Sequence, residues 1–395
     1  MIKKNITIIC AITVFSILII AFTYRKEIKL LYDSLNGFKN ENLAHTFQNM
    51  YKIQPTKKIN KGNTISKFDK NTSSLPKSFD FKDNKFLVGD FLKDTHTSGL
   101  LVIQDGIIKH ESYYLGANEN TLFSSNSMGK SFVSALMGIA IDEGYIKSVD
   151  EPIGKYIPEF KNTEIENILI KACLQMASGL DFDEETDMSK YSMRTLLGTP
   201  AMKLISKIAL KEDPYTYRRY LSINTEILGE IIRNATGQNL SEYMESKLWK
   251  KLGVESDAYW TLSNDKELAM GGLSISLRDY ARFAKLYLNN GKINKEQIIP
   301  KDWIKDSMDI SEQYSKPGAN NDSYNAIGYG YQWWIPEGNE REFLEIGVYS
   351  QWIYVNPAKD VIIVKTSADP NFMEKDYELK HIELFREIAK GYSIK

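Results

Sequence analysis

The sequence predicts a mixed α/β (α+β) fold in which strands from both chain ends form one antiparallel sheet flanked by helices. Near the start of this region, the β-prone runs Gly99–Gln104 and Ile107–Leu115 are joined by Asp105-Gly106, the strongest hairpin signal in the chain. Residues 147–322 show mostly helical spacing, and short β-prone runs return before an amphipathic helix over Asp376–Tyr392. This order favours one sheet interrupted by a large helical insertion over a doubly wound parallel sheet.

The chain begins with a hydrophobic stretch. Ile6–Tyr24 carries no charge and is flanked by Lys3 and Lys4 on one side and Arg25 on the other. A run of this length is sufficient to span a bilayer as a helix, and its candidate signal-cleavage site is poor. We therefore expect residues 1–25 to be a retained membrane anchor. The expected product is a single-pass membrane protein whose folded domain is extracytoplasmic, in the periplasm or on the cell surface.

Composition limits the remaining possibilities. Residues 26–90 are expected to be a tether or strap, because 26–50 are charged and mildly helical and 54–90 are polar and rich in Lys, Asn and Ser. Residues 91–395 are expected to form the folded domain. The net charge of −1 gives no indication of a nucleic-acid partner. Two cysteines, Cys10 and Cys173, are too few for an intrachain disulfide framework. The four histidines are not spaced as a metal site, so neither a metal nor another cofactor is expected.

The most informative stretch begins at Ser127-Met-Gly-Lys130. The residues that follow, from Phe132 to Ile141, are apolar on nearly every face, which predicts a helix buried all round. A serine and a lysine three residues apart share one face of a helix, so Ser127 could be a nucleophile with an amine beside it. A helix cap with a snorkelling lysine fits the same motif equally well. The spacing is not specific, because Ser74/Lys77 and Ser263/Lys266 repeat it in polar segments.

A second candidate group lies at Tyr220-Leu-Ser222, directly before a run with helical spacing from Thr225 to Ala235. A phenol beside an ammonium group can take a serine proton and pass it to a leaving group. With 23 tyrosines in the chain, a chance occurrence is the competing explanation. No Gly-x-Ser-x-Gly elbow and no phosphate-binding loop is present, so these two common alternatives lack their motifs.

The remaining elements follow from local patterns. Asn239 with Glu242 resembles a capping box for a helix reaching Leu252, and Leu277–Leu288 predicts another helix. The late β-prone runs are Tyr329–Ile335, Glu342–Ile346, Gln351–Val355 and Val361–Thr366.

Several segments in order resemble the penicillin-recognising serine hydrolases, a family that includes class C β-lactamases, D-alanyl-D-alanine peptidases and related esterases. The similarity covers roughly Thr97 to Thr366 and is strongest to the 6-aminohexanoate-dimer (nylon-oligomer) hydrolase subgroup. It is carried by FSSNSMGKSF around Ser127, DEPIGKYIP, LQMASGL, YLSINTEILGEIIRNATG from Tyr220, KLWKKLGVESDAYW, GGLSISLRDYARFAKLYLNNG and YGYQWW.

This resemblance implies a β-lactamase/transpeptidase-like fold and a set of roles. Ser127 would be the acylated nucleophile, with Lys130 and Tyr220 as the general acid/base pair. Ser222 would take the place of the asparagine in the family's Tyr-x-Asn motif. The substrate would be a small-molecule amide or ester.

The family's third motif, a triplet with Lys or His on a strand lining the site, is where this sequence departs. GVYSQWIYV aligns with that strand and places Val348, Tyr349 and Ser350 there without a cation. Lys365-Thr-Ser367 lies on the following strand, and we interpret it as a decoy. The resemblance implies that Ser350 or Gln351 joins Ser127 in an oxyanion hole. It also implies less acidic substrates than penicillins, because the cation that holds their carboxylate is missing.

Two alternatives stay open from the sequence. The protein could act as a β-lactamase or a D-Ala-D-Ala peptidase on substrates related to the cell wall. It could also be a non-catalytic binding protein on the same fold.

Overall fold

The computed structural model describes residues 25–318 and 326–391. The helices are α1 (Arg25–Gly37), α2 (Leu43–Ile53), α3 (Val88–Asp94), α4 (Gly129–Asp142), α5 (Ile170–Leu174), α6 (Asp187–Leu196), α7 (Ala201–Ile205), α8 (Ser222–Thr236), α9 (Leu240–Lys247), α10 (Leu277–Leu288), α11 (Lys301–Ser307) and α12 (Tyr377–Gly391).

The strands are shorter than most of the helices. They are β1 (Thr56–Ile59), β2 (Asp69–Lys70), β3 (Ser78–Phe81), β4 (Asn84–Leu87), β5 (Thr97–Gln104), β6 (Ile107–Tyr113), β7 (Leu122–Ser124), β8 (Ala258–Ser263), β9 (Lys266–Glu267), β10 (Leu273–Ser276), β11 (Lys292–Ile293), β12 (Glu296–Gln297), β13 (Ile327–Tyr329), β14 (Trp334–Pro336), β15 (Phe343–Gly347), β16 (Gln351–Asn356) and β17 (Val361–Ser367).

One large sheet joins the two ends of the chain, as the sequence predicts. Its strand order is β13-β14-β15-β16-β17-β5-β6-β2, and the neighbours pair antiparallel except for β2 and β6. The central contact is between β17 and β5, where Val364 lies opposite Leu101. Since both strands are buried along their whole length, this pairing places the sheet centre in the core.

The helical region between the two sets of strands carries β7, β8, β9 and β10, which form a smaller antiparallel sheet with β1 from the N-terminal segment. The strand order is β1-β8-β10-β7, with β9 beside β8. Helix α4 lies in this part and is buried on nearly every face, as its apolar composition predicts. The Phe132 ring stacks on Phe283 of α10 with 3.7 Å between the ring centres. Burial of each such side chain stabilises the fold by about 2 kcal/mol. Because α4 is held in place by this packing, the position of the segment directly before it, which includes Ser127, is also fixed.

Most predicted elements are confirmed with small shifts of their ends, and one is wrong. The run Tyr329–Ile335 is not one strand: it contains the end of β13, a turn and the start of β14. Gln332 in the turn has φ +63°, and its side-chain amide donates to the carbonyls of Cys173 and Leu174. The β-prone residues at both ends of this run do form strands, but the buried Gln332 amide holds a turn between them, so the chain forms a hairpin.

The predicted location of the protein in a membrane, which depends on its N-terminal segment, is also corrected. The expected anchor, Ile6–Tyr24, lies outside the described residues. No helix within residues 25–318 and 326–391 is long and apolar enough to cross a membrane. Helix α1, which begins at Arg25, has 13 residues and would span about 20 Å, less than the ~30 Å hydrocarbon layer. The prediction of a single-pass membrane protein with an extracytoplasmic domain is therefore contradicted by this finding.

The segment predicted as a tether makes ordered contacts with the rest of the chain. β1 pairs with β8 in the smaller sheet, with Lys57 opposite Trp260. In α2, the Phe47 ring lies 5.0 Å from that of Tyr349, in the turn between β15 and β16. The domain boundaries proposed from the sequence stay a prediction.

Candidate active site

Ser127 lies in a single 3-10 turn, Asn126–Met128, which links β7 to α4. Asn126 has φ +44°, a left-handed conformation that asparagine tolerates better than most residues. Strained backbone of this kind is often found at functional sites. The side chain of Ser127 is half-buried at the mouth of the helix. The N-terminus of α4 offers a partial positive charge to an anion that forms there.

Two glycines let neighbouring segments approach this turn closely. A Cβ on Gly271 would lie 2.7 Å from the Asn126 carbonyl oxygen, and one on Gly347 would lie 2.7 Å from the Ser125 carbonyl oxygen. Any side chain at either position would push its segment away from the turn. The chain segments at Met270-Gly271 and Gly347-Val348 are therefore the walls on either side of Ser127.

Lys130 is the immediate partner of Ser127. Its Nζ lies 2.7 Å from Ser127 Oγ and 2.8 Å from the carbonyl oxygen of Met270, and the residue is only 2 % exposed. Burial lowers the pKa of this amine to about 8, although Glu184 and Glu226 act in the opposite direction. A substantial fraction of the amine is thus neutral at mildly alkaline pH and able to accept a proton.

Glu226 also fixes the position of that amine. It is buried in α8, and its Oε1 accepts from the backbone N–H of Met270 at 2.9 Å. The Met270 carbonyl in turn accepts from Lys130. The carboxyl therefore holds the loop that orients Lys130 towards Ser127.

Tyr220 completes the predicted group. It precedes α8, and its ring stacks on Trp334 with 5.3 Å between centres and 21° between planes. Lys130 Nζ lies 5.1 Å from the centre of the Tyr220 ring. Ser127, Lys130 and Tyr220, which the sequence predicted as the catalytic residues, are thus brought together.

Ser222 is placed differently. Its backbone N–H donates to Glu184 Oε2 at 2.8 Å, and its hydroxyl donates to Glu184 Oε1. Glu184 thereby satisfies the first N–H group of α8. The sequence did not identify this carboxylate, because nothing local marks a residue 38 positions away as a partner of Ser222.

A pocket opens beside Ser127. Tyr220, Ser350 and Glu378 line it together with an apolar wall made of Trp334, Ile346, Val348, Trp352, Phe372 and Tyr377. Ser127, Tyr220 and Ser350 therefore border one pocket, as predicted. Among the described residues, no lysine, arginine or histidine side chain lines it.

The hydroxyl of Ser350 is held from three sides. Trp352 Nε1 and Lys365 Nζ donate to its Oγ at 2.9 and 3.1 Å. His381 Nδ1 lies 3.0 Å from the Tyr377 carbonyl, which can only accept, so Nε2 is the unprotonated ring nitrogen. The Ser350 hydroxyl therefore donates to His381 Nε2 at 3.2 Å. Burial lowers the pKa of Lys365 to about 7.

The side chain of Gln351 is hydrogen-bonded to backbone groups of neighbouring segments. Its side-chain Nε2 donates to the carbonyls of Tyr349 and Ser367 at 3.0 and 2.7 Å. Its Oε1 accepts from the backbone N–H of Ser367 at 3.2 Å. These bonds tie the turn between β15 and β16 to β17, and Gln351 is not among the described residues that line the pocket.

The backbone of Val348 is the feature that sequence reasoning missed. Its carbonyl accepts from Asn126 Nδ2 at 2.8 Å, whereas its N–H has no acceptor among the described residues. Val348 follows Gly347, one of the two glycines that approach the nucleophile turn closely. The glycine in GVYSQ was the available signal, because close approach of two backbones requires it. Elsewhere in the described ranges, no cluster of His, Cys, Asp or Glu could hold a metal ion.

Comparisons with known proteins show which family the chain resembles. A family model described as Beta-lactamase matches residues 87–384. The 6-aminohexanoate-dimer hydrolase of Paenarthrobacter ureafaciens is 27% identical over 299 residues, which cover 71% of this chain and 74% of the relative.

Solved structures share the fold. A Bacillus anthracis protein, provisionally named a 6-aminohexanoate-dimer hydrolase, matches with a TM-score of 0.80 at 23% identity, covering 90% of this chain and 95% of the other. A class C beta-lactamase matches with a TM-score of 0.58 at 16% identity, covering 78% and 95%. These likenesses confirm the predicted β-lactamase/transpeptidase-like fold.

Proposed function

This chain belongs to the beta-lactamase family, and on that premise we propose that it is a serine hydrolase that cleaves an amide or ester through an acyl-enzyme on Ser127. Lys130 and Tyr220 serve as the general acid/base pair. The observation that carries the proposal is the 2.7 Å contact between Ser127 Oγ and a buried amine whose pKa is lowered to about 8, at the mouth of a pocket.

In the first half-reaction, Ser127 Oγ attacks the substrate carbonyl carbon while its proton passes to the Lys130/Tyr220 pair. The bond from the carbonyl carbon to the leaving nitrogen or oxygen then breaks, and the pair returns the proton to the leaving group. In the second half-reaction, water attacks the ester on Ser127 and gives a proton to the same pair. Ser127 leaves with that proton, and the carboxylic acid product departs.

The tetrahedral intermediates need donors for their oxyanion. Ser127 N–H at the start of α4 is one, supported by the helix dipole. Sequence reasoning assigned the second donor to Ser350 or Gln351. We assign it instead to the Val348 N–H, because that group has no acceptor among the described residues and follows Gly347, which approaches the nucleophile turn closely.

Fluorophosphonate labelling followed by peptide mass spectrometry tests the proposal. An adduct is expected on Ser127, absent from Ser127→Ala and formed more slowly in Lys130→Ala and Tyr220→Phe. Ser263→Ala is the matched control, since Ser263 has the same spacing to Lys266 but lies at the end of β8. Absence of any adduct throughout the pH range of the folded protein, or an adduct that persists in Ser127→Ala, would overturn the proposal.

Nitrocefin and a fluorescent penicillin separate this proposal from a penicillin-directed activity. With no cationic side chain in the pocket lining, β-lactam turnover is expected to be far slower than hydrolysis of p-nitrophenyl esters. Rapid nitrocefin hydrolysis, or stable penicillin labelling of Ser127, would instead favour a β-lactamase or peptidase.

A further inference from the structure

The wall of the pocket is apolar and rigid. The Trp352 ring stacks on His381 with 4.8 Å between centres, and Phe372 contacts Tyr349 at 4.8 Å. Trp334 is fixed by its stacking on Tyr220. Rings held in this way cannot easily move aside, so the pocket keeps a preformed apolar surface next to Ser127.

The polar atoms in this wall are already used within the protein. The Tyr377 hydroxyl donates to Asp369, and the Ser350 hydroxyl donates to His381. The indole N–H of Trp352 donates to Ser350 Oγ. A ligand entering the pocket would gain no hydrogen bond from these three groups without breaking an existing one, which carries a cost.

Glu378 is the charged side chain in the pocket lining. It is the second residue of α12 and is half-buried. Burial, with a smaller contribution from Asp376, raises the pKa of this carboxyl, and no cation contributes to its environment. A second carboxylate in the pocket would face a like charge in partly dry surroundings, without a cation to offset it.

We infer that this pocket receives an uncharged, apolar acyl group and that Glu378 is a specificity-determining residue that excludes acyl groups ending in a carboxylate. This inference rests on the proposed acyl transfer to Ser127. The apolar wall provides binding through burial of the acyl chain. The carboxyl provides discrimination through charge repulsion in its ionised form, at pH values above its raised pKa.

Three p-nitrophenyl esters of matched chain length test it, because the leaving group stays constant. One is the hexanoate, one is the monoester of adipic acid, and one ends in a trimethylammonium group. The hexanoate is expected to have the highest kcat/KM, at least about tenfold above the adipate ester, since one unscreened like-charge contact is of that order. Glu378→Gln is expected to raise kcat/KM for the adipate ester at least about fivefold.

Glu374→Gln is the matched control, because Glu374 is exposed, lies four residues earlier and does not line the pocket. It is expected to leave the ratio between the two esters unchanged. Equal turnover of hexanoate and adipate esters, or a ratio unaffected by Glu378→Gln, would overturn the role of Glu378. Faster turnover of the trimethylammonium ester than of the hexanoate would overturn the apolar assignment.

A binding measurement keeps this inference separate from catalysis. In Ser127→Ala, titration with hexanamide and with the monoamide of adipic acid is followed by tryptophan fluorescence, since Trp334 and Trp352 border the pocket. Hexanamide is expected to bind at least about tenfold more tightly. If no ester is hydrolysed and Ser127 is not labelled, the proposed function fails, whereas the order of these two affinities still decides what the pocket accepts.

Discussion

The pocket is bordered by two serines that each lie beside a buried lysine, Ser127 with Lys130 and Ser350 with Lys365. Lys130 is 2 % exposed and Lys365 is fully buried, and the N–O distances are 2.7 and 3.1 Å. Burial lowers both pKa values, to about 8 and about 7. By distance and by pKa alone, either pair could be a nucleophile with its base.

The two hydroxyls differ in access and in their other partners. Ser350 is 1 % exposed, and its oxygen accepts two hydrogen bonds while its proton is donated to His381. Ser127 is half-buried, with Lys130 as the partner of its oxygen. A nucleophile needs a lone pair that can reach the substrate, so satisfaction of the Ser350 hydroxyl makes that pair structural.

The surroundings of the two amines differ as well. Glu184 and Glu226 raise the pKa of Lys130 against the effect of burial, and Glu226 also holds the Met270 loop. Among the described residues, Asp369 is the charge that raises the pKa of Lys365 against the effect of burial. The Lys365 amine also donates to the hydroxyls of Ser350 and Ser367. The amine of Lys130 therefore lies in the field of two carboxylates, whereas the amine of Lys365 is held mainly by two hydroxyls.

The largest expected effect separates the two serines. Ser127→Ala is expected to lower kcat/KM for p-nitrophenyl hexanoate by about 10⁴-fold or more, since the covalent step is lost. Ser350→Ala is expected to lower it by less than about tenfold, through a looser turn between β15 and β16. Steady-state kinetics of both variants, with thermal unfolding to verify folding, provide the comparison. Similar losses in both would mean that Ser350 takes part in the chemistry.

The next effect separates the two lysines. Lys130→Met is expected to lower kcat by about 10³-fold, because proton transfer from Ser127 loses its nearby base. Lys365→Met, which has the same change in size and charge, is expected to stay within about tenfold of the parent. A loss of the same size in Lys365→Met would show that the cation on β17 acts on the substrate.

The pH dependence of kcat/KM sharpens the contrast. In the proposed mechanism, Lys130 and Tyr220 together accept the proton of Ser127. The acid limb of the profile, where kcat/KM falls as the pH decreases, therefore reports protonation of this pair. It is expected near pH 8, the approximate pKa of Lys130. Glu226→Gln removes a charge that raises this pKa and is expected to move the limb to lower pH. Lys365→Met is expected to leave the limb in place. Movement of the limb in Lys365→Met alone would contradict the assignment.

The smallest effect concerns stability. A base whose pKa falls from 10.5 when unfolded to about 7 when folded binds fewer protons in the native state. As far as Lys365 is concerned, the free energy of unfolding is therefore highest above about pH 10.5, and it decreases as the pH falls towards 7. Lys365→Met is expected to flatten this slope and to stabilise the protein at neutral pH by about 2 kcal/mol. Urea unfolding across this pH range measures it, and an unchanged slope would refute the assignment.

Much of the fold follows from local patterns. The hairpin at Asp105-Gly106 and the helix Leu277–Leu288 were predicted with their correct ends or nearly so. The buried helix after Ser127 was predicted because apolar residues on every face leave no surface for water. The prediction of a single strand over Tyr329–Ile335 was wrong because a distant contact overrides β propensity. The side chain of Gln332 donates to the carbonyls of Cys173 and Leu174 in α5.

The candidate site divides in the same way. The sequence by itself determined the types and spacing of Ser127, Lys130 and Tyr220, since these depend on one helix and on motifs read in order. Only the tertiary structure decided which of the two serines is half-buried at the pocket and which is enclosed by hydrogen bonds, that Glu226 binds the Met270 loop, and that Val348 and Glu378 line the same pocket as Ser127. These are contacts between segments far apart in the chain, and periodicity along a sequence specifies which face is buried but not which distant groups meet there.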